Sequence, residues 1–184
     1  ATKAGADLIL SVAPYYNKPP QAGLLAHFRA VSDSTDLPII LYNVPGRTVT
    51  DIADDTTLEL AHVTNIVGIK DATGDLARAQ YLLKHRPEGF AIYSGDDATA
   101  MELCLLGGDG DISVTANVAP GLMAKMIKAA LENRREDAEK LNQQLLGLHS
   151  KLFIEPNPMP TKWALAQMGF MRAECRLPLV ALTE

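Results

Sequence analysis

In the stretch "NIVGIKDATGD" (65–75) an apolar run stops at Lys70 and passes directly into small polar residues and a glycine. A lysine held at the end of a desolvated strand has its charged form disfavoured, so its pKa falls and a neutral, nucleophilic amine becomes available near neutral pH. That is what an imine-forming lysine requires. Tyr42 closes the run "PIILY" (38–42) at the equivalent junction one unit earlier. Strand alternation predicts Ile66, Gly68 and Lys70 on one face and Val67 and Ile69 on the other, with Gly68 leaving space beneath the lysine stem. By the same count Ile40 provides an apolar floor under the Tyr42 phenol. Tyr15, Tyr16, Ser94 and Ser113 end the other apolar runs.

Each of these residues also has a purely structural explanation. Lys70 could open a solvated loop, Tyr42 could be an interior aromatic with its hydroxyl satisfied, and Arg47 could be an ordinary loop charge. Tyr15 and Tyr16, beside Asn17 and Pro19, could form a packed turn. Asp96 and Asp97 in "SGDD" read as helix N-caps, as do Thr73 or Asp75 after Lys70. "GGDGD" (107–111) is acidic, which favours a tight connection over a phosphate cradle. His27, His62, His85 and His149 stand at no metal-ligand spacing.

The elements that must position these residues alternate. Short β-rich runs occur at 7–12, 38–43, 65–70, 90–94 and 111–115, and the first four are followed by helical spacing near 21–34, 54–62, 75–85 and 96–106. Nearly continuous hydrophobic strands flanked by helices are what a buried parallel sheet needs. The opening "ATKAGADLIL" reads as the tail of a helix running through Gly5 into the first strand. Beyond residue 116 three helices follow, at 119–134 opened by Pro120, at 135–153, and at 160–169 closed by Gly169. The predicted division is a barrel-like part, 1–118, and a helical region, 119–184, packed together without a low-complexity linker. Periodicity alone fits either a doubly wound sheet or part of a (β/α)₈ barrel. The collection of polar residues at strand C-terminal ends points to the barrel.

Composition narrows the partners. The 184 residues carry a formal net charge of −5 with 47% hydrophobic and 21% charged residues, ordinary for a globular domain. Mixed-sign clusters such as "ENRREDAEK" (132–140) form a solvated helix face rather than a nucleic-acid footprint. Cys104 and Cys175 fall in no metal or redox pattern, and no signal peptide or membrane-length apolar stretch occurs. A reduced cytoplasmic setting fits best.

The motifs "YYN" (15–17), "YNVPGRT" (42–48), "GIKDATGD" (68–75), "SGDD" (94–97), "GDISVTAN" (110–117) and "KLFIEPNPMPTKWAL" (151–165) are collinear across the chain. Together they resemble the 4-hydroxy-tetrahydrodipicolinate (dihydrodipicolinate) synthases of the pyruvate-dependent class I aldolase superfamily. The resemblance implies a (β/α)₈ barrel followed by a helical domain, condensing pyruvate with L-aspartate 4-semialdehyde in lysine (diaminopimelate) biosynthesis. No cofactor is implied beyond the covalent imine with pyruvate, and no metal. Lys70 would form that imine and Tyr42 would shuttle protons. Arg47 would grip the semialdehyde carboxylate, and Gly95 and the backbone at Ile112 would line the pyruvate pocket. Tyr16 would join a hydroxyl relay across a dimer interface in a dimer of dimers, with Tyr15 near a cleft for allosteric L-lysine. The nearer rivals are an N-acetylneuraminate lyase or a keto-deoxy sugar acid aldolase, which would keep Lys70 and Tyr42, although Arg47 favours a small carboxylated partner. The more distant rival is a non-catalytic barrel fragment.

Two departures accompany the resemblance. The family's GTTGE segment does not occur in these residues, so three N-terminal βα units and a final helix are expected outside them, and residues 1–184 alone are expected to lack synthase activity. Asp111 stands where a small or apolar residue is expected ahead of the "ISV" run.

Overall fold

The computed structural model describes residues 1–183. After a 3₁₀ turn at Thr2–Ala4 ended by left-handed Gly5, the chain enters β1 (Ile9–Val12). It then alternates through α1 (Gln21–Asp33), β2 (Ile39–Asn43), the short α2 (Pro45–Thr48), α3 (Asp54–Leu60), β3 (Ile66–Asp71), α4 (Leu76–His85), β4 (Ala91–Ser94), α5 (Ala100–Leu105) and β5 (Gly110–Asp111). The five strands form one parallel sheet in the order β1-β2-β3-β4-β5. A doubly wound sheet reverses its strand order at a switch point, whereas a (β/α)₈ barrel adds each strand beside the last. The order observed is the barrel's.

The sheet's two faces are sorted by residue. On the helix-covered face Ile39, Leu41, Ile69 and Ile92 join Leu24, Phe28, Leu60 and Leu82 in one buried cluster. The opposite face presents Ile40, Gly68 and Ala91 in one cross-strand row, and Val12, Tyr42, Lys70, Tyr93 and Gly110 in the next. Alternation fails at one point. Between β2 and β3 the register slips, with Ile39 opposite Ile66 but Ile40 opposite Gly68. The extra residue, Val67, puts Ile66 with the helix-facing core rather than beneath Lys70.

The chain divides into two compact units, Ala1–Ile112 and a second beginning at Ser113. The second unit holds α6 (Pro120–Leu131), with Pro120 in its first turn, α7 (Arg135–Lys151) and α8 (Met159–Gln167). Gly169 ends α8 with φ 81°, the left-handed conformation a glycine adopts without steric cost. Met123, Met126, Ala129, Ala138 and Leu145 line the buried faces of α6 and α7. The buried His149 ring joins Thr115 through Nδ1 at 2.9 Å and Asn142 through Nε2 at 3.2 Å. Within the unit, residues 113–115 depart from the expected strand. Ser113 Oγ accepts from the Ala116 amide at 2.9 Å and Asn117 Nδ2 donates to the Val114 carbonyl at 3.0 Å, so side chains draw this backbone into a 3₁₀ turn at Thr115–Asn117.

Candidate active site

Lys70 and Tyr42 face one another across β2 and β3, and the Lys70 Nζ lies 4.3 Å from the centroid of the Tyr42 ring. A cation over a phenol face is an attractive contact. The Lys70 stem does not rest in space left by Gly68, as alternation had predicted. A Cβ at Gly68 would stand 2.7 Å from the Ala91 carbonyl oxygen, so that glycine serves the β3–β4 approach. Gly95 makes room for the lysine instead, because a Cβ there would fall 2.8 Å from Lys70 Cε and 2.8 Å from Ala72 Cβ. Burial pushes the Lys70 amine below its ordinary pKa, an effect that Arg47 reinforces and Asp111 and Asp97 oppose. Burial also raises the Tyr42 phenol, against a smaller pull downward from Arg47. The outcome is a lysine biased toward the neutral amine beside a phenol that keeps its proton.

Arg47 sits in α2, a four-residue helix rather than the loop expected from the sequence. Its charge reaches both Lys70 and Tyr42. Thr48 Oγ1 donates toward the Val44 and Thr50 carbonyls at 3.1 and 2.8 Å, and the turn closes through Val49 at φ 59°. A β-branched residue in that region carries strain of roughly 1–3 kcal/mol, held by the surrounding bonds. Ile112 follows β5, its amide donating to the Ser94 carbonyl at 3.0 Å. Tyr15 and Tyr16 follow β1, 64% and 93% exposed. Asp75 caps α4 by accepting from the Ala77 and Arg78 amides at 2.9 and 3.1 Å. Asp96 instead organises the turn ahead of α5, accepting from the Thr99 amide at 3.1 Å, and α5 begins only at Ala100.

Sequence reasoning missed the row that anchors these residues. One position beyond Tyr42 and Lys70, on the opposite face, Asn43, Asp71, Ser94 and Asp111 align across four strands. Asn43 is fully buried and donates to Asp51 at 2.6 Å and Asp71 at 3.1 Å, while its carbonyl accepts from the Ile52 amide at 3.0 Å. Thr73 Oγ1 donates to Asp71 at 2.7 Å, and Arg78 pairs with Asp51, Asp54 and Asp71 at 3.1, 3.1 and 3.6 Å. Burial nonetheless leaves Asp71 above the usual carboxylate range, against the opposing pull of Thr73, Arg78 and Asn43. The available signal was a polar residue directly after each candidate, "YN" and "KD".

Among the described residues no cluster of His, Cys, Asp and Glu is arranged to hold a metal ion. A surface recess of about 450 Å³ between α6 and α7 lies in the other unit and is rimmed by Lys125, Lys128, Arg134 and Lys140. At its rim Arg134 pairs with Glu132 and Asp137 at 2.8 and 2.5 Å.

The model of the dihydrodipicolinate synthetase family matches residues 1–184. The chain belongs to that family. Curated members named 4-hydroxy-tetrahydrodipicolinate synthase include those of Nitrosospira multiformis, 62% identical over 183 residues, and Nitrosomonas eutropha, 59% identical over 180. These alignments take in 100% and 98% of this chain but 61% and 62% of the relatives, so the chain spans about three-fifths of their length. Among solved members, the chloride-inhibited dihydrodipicolinate synthase of Acinetobacter baumannii complexed with pyruvate superposes with a TM-score of 0.97 at 51% identity, over 100% of this chain and 63% of that one. The enzyme of Cyanidioschyzon merolae with lysine bound gives a TM-score of 0.93 at 40% identity, over 99% and 62%. This places the five-stranded sheet as part of the family's (β/α)₈ barrel, followed by its C-terminal helices. No helix among the described residues is long and apolar enough to cross a membrane.

Proposed function

We propose that this chain carries the imine-forming half of a 4-hydroxy-tetrahydrodipicolinate synthase, condensing pyruvate with L-aspartate 4-semialdehyde. The observation that carries the reading is Lys70, packed on Gly95 beneath the Tyr42 ring with its amine shifted toward the neutral form. The names of the curated relatives support it, and the pyruvate complex of the Acinetobacter baumannii enzyme supports pyruvate as first substrate.

In this mechanism the neutral Lys70 amine adds to the C2 carbonyl of pyruvate. The carbinolamine loses water to give the imine, and loss of a C3 proton gives an enamine. The enamine carbon attacks the aldehyde of the second substrate, whose oxygen takes up a proton. Tyr42, with its phenol held protonated, is the group placed to deliver and recover protons at these steps. Attack of the semialdehyde's own amine on the imine carbon then closes the ring and frees Lys70. Arg47 grips the semialdehyde carboxylate, a task suited to a guanidinium fork. Gly95 and the Ile112 backbone border the pyruvate. Exposed Tyr16 is available for a relay completed by a second subunit in a dimer of dimers, and Tyr15 for a lysine cleft, a role supported by the lysine-bound Cyanidioschyzon merolae relative.

The test uses the protein at its natural full length. Pyruvate-dependent consumption of aspartate 4-semialdehyde, followed through a coupled reductase, is expected in the wild type and lost in Lys70→Arg, which keeps the charge but removes the nucleophile. Consumption that continues in that variant overturns the reading.

A further inference from the structure

We propose that Asp111 is a positioning residue for the charge of Lys70, its carboxylate, once formed, holding the amine as ammonium and so limiting the nucleophile at alkaline pH. The inference rests on the reading of Lys70 given above. Its basis is the polar row behind the candidate site. Asn43 and Asp71 are hydrogen-bonded to their neighbours, and Ser94 bonds the Asp96 backbone. Asp111 ends that row, and both its carboxyl oxygens are buried without a hydrogen bond of ordinary geometry. A buried carboxyl without donors keeps its proton, because nothing replaces the water that would solvate the anion.

The surrounding groups point the same way. Asp97 faces Asp111 from the β4–α5 loop, with Asp96 beyond it, and burial together with Asp97 pushes the Asp111 carboxyl up to about 8. Two adjacent carboxyls in a dry site share a proton rather than ionise together. From α5 the Cys104 thiol is itself pushed up to about 12 by burial and by the charges of Asp111 and Asp109, which keeps it protonated and uncharged. The positive groups are Lys70 on β3 and, facing Lys70, Arg47 on α2. Lys70 lies opposite Tyr93 and Tyr93 opposite Gly110, so the lysine and the Asp111 strand are two strand spacings apart, about 10 Å. With water excluded, a charge at that distance is little screened. Below its own titration Asp111 is neutral and leaves the amine free to shed its proton. Above it, the new anion opposes that loss.

Two readouts in the natural full-length protein separate this inference from the proposed function. The first is the pH dependence of Lys70 acylation by trace acetic anhydride, mapped by mass spectrometry, which reads the amine whether or not pyruvate binds. The second is borohydride trapping of Lys70 with pyruvate, which reads the imine. In Asp111→Asn and Asp111→Val the acylation midpoint is expected to move about 0.5–1 pH unit lower. A role confined to packing leaves that midpoint where it is. An unchanged or higher midpoint in whichever variant folds overturns the inference, even if trapping succeeds. Failed trapping in the wild type overturns the proposed function, while the acylation midpoint still decides for or against Asp111.

Discussion

The nucleophile proposed at Lys70 depends on three features acting through different physics. Gly95 gives it space, the surrounding strands remove its water, and Arg47 adds like-charge repulsion that favours the neutral amine. Gly95→Ala sets a new methyl 2.8 Å from both Lys70 Cε and Ala72 Cβ, and the lysine is the flexible one that yields. Pyruvate trapping by that variant is expected to slow about 10- to 100-fold, equivalent to roughly 1–3 kcal/mol, with little change in melting temperature. A large melting loss with normal trapping would show that the contact is structural instead. Arg47→Ala is expected to slow trapping only slightly, through loss of the smallest of the effects that lower the Lys70 pKa, while kcat/KM for the semialdehyde falls by about 1.5–3 kcal/mol, the loss of one charge-assisted contact. Equal losses for both substrates would argue against that assignment. Lys70, Tyr42 and Arg47 were legible in the sequence because strand ends and their motifs mark them. Gly95 came only with its motif, and its contact with the lysine stem did not. That contact joins Lys70 on β3 to a glycine just beyond the end of β4, a pairing that alternation within a single strand does not show.

Strands β2 and β3 hold the pair in place through the residues that follow it. Asn43 and Asp71 lock their ends to Asp51, Thr73 and Arg78, so the two candidate side chains emerge from a backbone fixed on its far side. Arg78, only 10% exposed, faces three carboxylates. Arg78→Ala leaves the buried Asp71 and the partly exposed Asp54 without their cation and is expected to cost about 3–5 kcal/mol, measured by urea unfolding. A loss below about 1 kcal/mol would show that this network behaves as a surface pair. Helices α1, α3 and α4 were readable to within two residues at either end, since apolar spacing and caps such as Asp75 define them locally. Three elements were not. α2 is a single turn built by Pro45 and Thr48 in a loop, and α5 starts late because Asp96 satisfies the preceding turn. β5 stops at Asp111 because Ile112 alone continues the ladder before Ser113 and Asn117 bend the chain. In each case polar side chains bonding to nearby backbone outweigh the apolar pattern.

At the scale of the whole molecule, a parallel sheet wound without reversal was foreseeable from the βα alternation and from polar residues collected at one end of the strands. Asp111 also bears on global stability. Its folded pKa of about 8 exceeds the ordinary unfolded value, so the folded state binds one more proton between about pH 4 and pH 8. Stability therefore falls as pH rises through that window and levels off above it. Asp111→Asn is expected to gain on the wild type across the same window, by on the order of 3 kcal/mol near pH 8, read from urea unfolding at pH 5 and pH 8. A difference that does not change with pH would mean that Asp111 is ionised in the fold throughout. The central claim is narrower, that Lys70 alone is the nucleophile for pyruvate. The most direct measurement is to incubate the natural full-length protein with pyruvate, reduce with borohydride and map the modified peptide by mass spectrometry. The account predicts a single reduced adduct on Lys70, absent from Lys70→Ala. An adduct on another lysine, or one that persists in Lys70→Ala, would contradict it.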